Sequence, residues 1–416
     1  MMLEKGEHTA SKQRHLIVIF SCMLLQMFPF GMSSEVPPLF IRPLNTTFGF
    51  SIASIGFIFT IGSIASSIAS PFIGKLFDRF STKLLMLLGV IIAAGGLFIN
   101  VFATQIWQYY LANAVVQIGV VTYSSLGIPY LIGKWFSREE KPTAMGFAFA
   151  GGAIGNFFWQ PIVSQLLNHF DVHHVYFICA SIALISGVII VLCFVRNRQA
   201  INDPKSNKGP DIVLHGIGFK KTTQLSLFWV ISVGMFFLGM NIAAQSSQYA
   251  NYFGAIDIDA MTIGIIGSTF AISALCGNIF GGIIISKFGL LHGARVAAIL
   301  QLISATSMLL LNFLPFHLFG YLWAIFYGLS GFIYMSGPAI MVQDLFGMKE
   351  SSQILGYINI FFAIGFAIGN AIFGLIVDIS SFEIAWLYVL VCILIAYSLM
   401  LTSIHKIEKK HYADIL

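Results

Sequence analysis

Charge is what this chain is short of: Asp, Glu, Lys and Arg make up 9% of its 416 residues, against about a quarter in an ordinary soluble domain. Hydrophobic residues make up 57%. So little charge cannot cover a water-facing surface, and what there is falls in short tracts between apolar stretches of roughly 20 residues or more. As a helix such a stretch crosses ~30 Å of hydrocarbon at ~1.5 Å per residue. The chain therefore reads as an all-α membrane protein. No glycine-rich loop ending in Lys-Ser/Thr is present, which leaves ATP-driven transport without a site. The five cysteines, Cys22, Cys179, Cys193, Cys276 and Cys392, stand in apolar stretches without metal-ligand spacing, so neither a metal nor another cofactor is expected. No extramembrane domain exists to carry a Ser/His/Asp set or a carboxylate pair, and no enzymatic activity is expected.

What is present is order. Apolar runs stand at about 15–40, 51–73, 84–103, 106–133, 143–168, 174–195, 225–252, 260–285, 293–313, 317–345, 352–377 and 384–404, twelve in all. The first follows a polar segment of mixed charge and closes without a small-residue cleavage site, so it reads as a retained helix. With the N-terminus inside, 21 of the 22 Lys and Arg fall in inside segments and Arg42 alone lies outside. Such a bias sets the orientation. It places both termini in the cytoplasm, beneath a plasma (inner) membrane. The net charge of +5 then records topology and speaks against a nucleic-acid partner, and the basic clusters face membrane lipid. The expected organisation is a cytoplasmic tail (1–14), a six-helix bundle (15–195), a cytoplasmic linker (196–224), a second six-helix bundle (225–404) and a second tail (405–416). An offset of 210 residues pairs Gly127 with Gly337, Phe136 with Phe346, Gly146 with Gly356 and Gly155 with Gly365, as two parallel repeats require.

Between the second and third runs stands GKLFDRFSTK, Gly74 to Lys83. It resembles the short inside-loop signature of the major facilitator superfamily. The resemblance implies the twelve-helix fold of that superfamily and a gating role for Gly74, Asp78 and Arg79, an acid and a cation locking the inside ends of two helices in one state. The second half carries a degraded copy, GIIISKFG, with Ser286 in the acid's place, so a weaker latch is expected there. The segments AMGFAFAGGAIGNFFWQPI and QDLFGMKESSQILGYINIFFAIGFAIGN look like the monocarboxylate and oxalate/formate branch. Gly151, Gly152 and Gly155 within them read as small residues that let helices approach. That branch carries a lysine in its first helix, seven residues before a basic residue; counting back from Arg42 lands on Glu35, an acid instead. It also places an Asp and an Arg four apart in the eighth helix. Aligned on the glycine of SALCGNIFGG, those places hold Ser273 and Gly277.

Glu35 stands about eight residues, ~12 Å, past the midpoint of its run. An ionisable group at such depth is costly and marks function by default. No Lys or Arg stands well inside any run, so an organic anion would find no compensating charge. A neutral or cationic solute fits better, with Glu35 as proton or charge site. The alternative pairs Glu35 with Arg42, two turns on. Pro37 and Pro38 are expected to break the helix just beyond. Candidate substrate-binding groups are Gln26 and Ser34, Gln117 and Tyr123, Asn156, Asn241 and Gln245, Asn278, Tyr327 and Tyr334, and Asn359. Asn241 and Gln245, four apart on one face, rank first. The expectation is a secondary active transporter that moves a small organic solute by alternating access, coupled to protons and preferring import. Two rivals stand beside it: the same fold carrying monocarboxylates or other organic anions through hydroxyls and amides, and a non-transporting membrane sensor that signals through the linker.

Overall fold

The computed structural model describes residues 2–196, 216–314 and 317–409. Among the described residues the chain makes twelve long helical passes and no strand, with one isolated bridge, Gly216 to Gly347. The passes are α1 (Gln13–Phe48), α2 (Ile52–Arg79), α3 (Thr82–Asn100), α4 (Ile106–Trp135), α5 (Lys141–His169), α6 (Val172–Cys193), α7 (Ser226–Ser247), α8 (Ala260–Phe288), α9 (Leu290–Leu311), α10 (318–345), α11 (Ser351–Ile379) and α12 (Phe382–Lys409). Eleven of them are long and apolar enough to cross a membrane. The twelfth, α5, is as long but diluted by Gly151, Gly152, Gly155, Asn156 and Gln160. Polar caps punctuate the turns: Ser51, Ser81, Asp171 and Asp259 accept the backbone N–H of the residue three further on at the starts of α2, α3, α6 and α8.

The large departure from expectation is α1, which continues to Phe48. Pro37 and Pro38 open a tight turn, Pro37–Phe40, where an absent N–H costs nothing, and the helix resumes until Gly49 at φ 68°. Immediately before them, Gln26–Glu35 is wound as a π-helix, with the Val36 N–H reaching back to Gly31 O at 3.1 Å. A second π segment, Val121–Leu126, lies in α4. Runs of this kind are rare and frequent at functional sites.

Glycines carry the helix packing, in the same way in both halves. A Cβ on Gly155 would stand 2.5 Å from Met27 O, and one on Gly365 1.9 Å from Phe236 O, so α5 lies backbone to backbone on α1 as α11 does on α7. Between the halves, a Cβ on Gly146 would meet Asn278 O at 2.3 Å and one on Gly356 would meet Ser70 O at 2.8 Å, seating α5 on α8 and α11 on α2. Of the expected linker, 197–215 lies outside the described residues. Its end is docked, the Ile217 N–H donating to Phe346 O at 2.9 Å ahead of a helical turn, Phe219–Thr222.

Candidate functional site

A cavity of about 320 Å³ opens between the halves, walled by α2, α4, α5, α10 and α11. Ser63, Ser66, Ser67 and Ser70 reach it from one face of α2, at the spacing that stacks side chains along a helix. The Ser66 and Ser67 hydroxyls both donate to Ser63 O, at 2.9 and 2.7 Å, which leaves their oxygen lone pairs for a solute. Gln117 and Ser125 come from α4, Tyr334 from α10 and Asn359 from α11; Phe149, Phe362 and Phe366 supply apolar wall. No Lys, Arg, Asp or Glu side chain lines this space.

Glu35 is half-buried on α1. Because α1 runs on to Phe48, Glu35 lies thirteen residues, ~20 Å, short of its end, deeper than the sequence alone indicates. The Gln160 amide donates to its backbone oxygen at 3.1 Å. No ion pair joins it to Arg42 among the described residues, Arg42 being exposed.

Of the other sequence candidates, Gln117, Tyr334 and Asn359 line the cavity, while Ser34 and Asn156 are half-buried outside its wall. The remainder are not part of its wall. Asn241 and Gln245 are fully buried: the Asn241 amide donates to Gln301 at 2.7 Å, Gln245 donates to Asn241 at 2.7 Å, and Gln245 Oε1 accepts from Ser304 at 2.6 Å and from Trp323 at 3.2 Å. This buried network ties α7 to α9 and α10 and stands outside the cavity wall. Gln26 donates to Ser124 at 3.0 Å inside the first half, and Tyr123 is buried near it. Asn278 donates to its own helix at Ala274 O, 3.0 Å, and Tyr327 is buried in a column of parallel rings with Phe270, Trp323 and Tyr334. Nor do Ser273 and Gly277 leave space for a carboxylate: a Cβ on Gly277 would lie 2.5 Å from Leu329 O.

The end of the molecule that carries the basic loops is sealed, by parts the sequence assigned only in part. A Cβ on Gly74 would lie 2.6 Å from Ser352 O, so the loop glycine is itself the contact across the halves. Asp78 accepts from Tyr130 within its own half at 3.4 Å, and Arg79 is exposed; the ion pair that spans the halves is Arg138 to Asp344, at 2.5 Å. Far from idle, Ser286 donates to Glu139 O at 2.6 Å and shares a 2.8 Å hydrogen bond with Thr143. Gln343 adds a 2.9 Å bond to Pro129 O. The serine ladder of α2 escaped the sequence reading, although its spacing along one helix face is a signal that could have found it; the Arg138–Asp344 pair carries no local signal.

A sequence profile of the Major Facilitator Superfamily matches residues 19–252, more than half of the chain. The chain belongs to the Major Facilitator Superfamily. Its members and structural neighbours are transporters and not enzymes. Among curated superfamily relatives, an MFS-type transporter of Gibberella moniliformis is 23% identical over 333 residues, 79% of this chain and 76% of that protein. The multidrug resistance protein MdtG of Escherichia fergusonii is 26% identical over 211 residues, so the match spans about half, 49%, of either chain. Solved superfamily structures align along nearly all of it. A bacterial homologue of the iron transporter ferroportin in an outward-facing state gives a TM-score of 0.74 at 13% identity, over 94% of this chain and 98% of that one. The transporter FucP in its outward conformation gives 0.68 at 14%, over 92% and 97%. At such identities the likeness establishes the superfamily fold alone.

Proposed function

We propose that this superfamily member is an alternating-access secondary transporter of the plasma (inner) membrane, both termini cytoplasmic, that moves a small neutral or cationic organic solute with protons coupled through Glu35. The cavity wall carries the reading. It offers serine oxygens, two amides, a phenol and phenyl rings, and no fixed cation; a carboxylate held there would need a cation or several strong donors. A volume of about 320 Å³ suits a small solute, at the lower end of the ~300–1,000 Å³ of ligand sites. Gln117 belongs to the first half and Asn359 to the second, so a solute bonded to both links the halves. The basic loops mark the sealed end as cytoplasmic, which makes this the outward-facing arrangement. The resemblance of α5 and α11 to the monocarboxylate branch, and the likeness to a protein named for multidrug resistance, put organic anions and apolar drugs into the same test. Family membership leaves the sensor reading without support.

The deciding experiment is flux in proteoliposomes under an imposed pH gradient, with organic cations, neutral amino acids and sugars, monocarboxylates and apolar drugs, in both directions. Saturable flux of neutral or cationic solutes that loses its pH dependence in Glu35→Gln is expected. Flux confined to carboxylates and indifferent to that substitution would sink the proposal.

A further inference from the structure

On the cytoplasmic face, residues 216–221 and 349–350 enclose a second pocket of about 200 Å³. Its two walls are far apart in sequence and are clamped together. Gly216 bridges to Gly347, the Ile217 N–H donates to Phe346 O at 2.9 Å, and the Phe219 N–H donates to a Glu350 carboxylate oxygen at 2.5 Å. The clamp holds one costly conformation, Glu350 at φ 53°, beside two that glycine adopts freely and a side chain would not, Gly216 at φ 146° and Gly347 at φ 83°. A Cβ on Gly216 would lie 2.6 Å from Phe346 O, so no other residue fits.

The clamp gathers Lys220, Lys221 and Lys349 around one space. A Cβ on Gly218 would stand 3.9 Å from Lys349 Cε, which shows that side chain folded over the opposite wall. All three ammonium groups are exposed, and none makes a hydrogen bond or ion pair among the described residues. Glu350 keeps its charge at the pocket edge, one oxygen accepting from the Phe219 N–H and the same oxygen standing 3.4 Å from where a Cβ on Gly218 would lie, so three lysines against one acid leave a net excess of positive charge. The inside bias of basic residues asks only that lysines lie in these loops. It does not ask that three converge, against their mutual repulsion, on a strained backbone.

We infer that this pocket binds a phosphate group, its oxygens accepting from Lys220, Lys221 and Lys349. Phosphate offers three strong acceptor oxygens and more than one negative charge, matching three donors where a carboxylate would not. The pocket ends five residues before α7 and one before α11, next to the ends of two membrane-crossing helices. The headgroup of an anionic phospholipid and a free phosphate present the same chemistry. Occupancy ties the linker's end to the 346–350 loop, whose next residues, Ser352 and Gln353, press on Gly74, and so braces the sealed end.

The test is amide hydrogen exchange on the full chain in nanodiscs. One arm compares phosphatidylcholine with phosphatidylcholine containing phosphatidylglycerol; the other titrates inorganic phosphate into phosphatidylcholine discs against chloride of equal ionic strength. Exchange at 216–222 and 346–350 is expected to slow saturably. Each single change Lys220→Gln, Lys221→Gln or Lys349→Gln weakens half-saturation by about fivefold, the equivalent of about 1 kcal/mol per basic residue near an anionic surface, and the triple variant abolishes it. Protection by phosphatidylglycerol alone assigns the site to lipid, and protection by both assigns it to any phosphate. No protection in either arm, or protection that survives the triple variant, overturns the inference. The readout needs no flux, so its failure and that of the transport proposal are separable.

Discussion

Replacing Gly74 by alanine tests whether the sealed end closes through backbone contact. The added methyl would stand 2.6 Å from Ser352 O and 2.7 Å from the Gln353 N and Cα atoms, all main-chain atoms of α11 that no rotamer change can move. Overpacking of this kind costs about 1–3 kcal/mol. The cost falls only on the closed arrangement, because the contact is made between halves; the gain in helix propensity on losing a glycine applies equally to both states. The outward-to-inward ratio should therefore drop by about 5- to 150-fold. The assay is alkylation of a cysteine placed at Ser66 on the cavity wall, in a background without the native cysteines, by a membrane-impermeant maleimide added outside. A labelling rate that falls with the ratio is expected, with overall thermal stability little changed. Unchanged or faster labelling would show that Gly74 does not set the closing distance.

Arg138→Ala should shift the same ratio in the same direction by no more than about fivefold, because that side chain is 75% exposed and an exposed pair contributes at most about 1 kcal/mol. Gln245→Leu strips partners from Asn241, Ser304 and Trp323; a loss of about 1–3 kcal/mol in unfolding experiments is expected, with the solute KM unaltered. Asn359→Ala, by contrast, should raise KM about tenfold, the loss of one hydrogen bond to a solute, and leave the melting temperature in place. At the start of α6, the His174 N–H and ring hold the Asp171 carboxyl below the usual carboxylate range. A depressed value means that this cap stabilises above the ordinary carboxylate pKa and lets go as pH falls through the lower folded one, so exchange of the first amides of α6 should quicken only in acid.

The passes were legible because length and apolarity are local properties, and most helix ends lie within a few residues of the apolar runs. Pro37 and Pro38 do interrupt the ladder, the π-helix ending at Glu35 and a new turn opening at Pro37; the resumption to Phe48 was missed because proline sits without cost in the first turn of a new helix. The direction in which a polar side chain points was the harder matter. Asn241 and Gln245 share a face, as their spacing requires, but the face is chosen by Gln301 and Ser304, about sixty residues away on α9. Cavity and neighbouring helix ask for the same polar residues, and only the neighbour's position separates them. The serines of α2 carried the converse lesson: each is unremarkable alone, and the ladder of four is what faces the solute. Arg138 and Asp344 stand 206 positions apart, beyond the reach of any local pattern.

The π winding of Gln26–Glu35 acts as a rotation as well as a widening. An α-helix turns ~100° per residue, whereas a π-helix turns roughly 80°. Over the nine steps from Gln26 to Glu35 the difference accumulates to roughly 180°, half a revolution. Wound as ordinary helix, the same residues would present the Glu35 side chain on the opposite side of α1. The aim of that one acid is thus stored in the pitch of the nine residues before it.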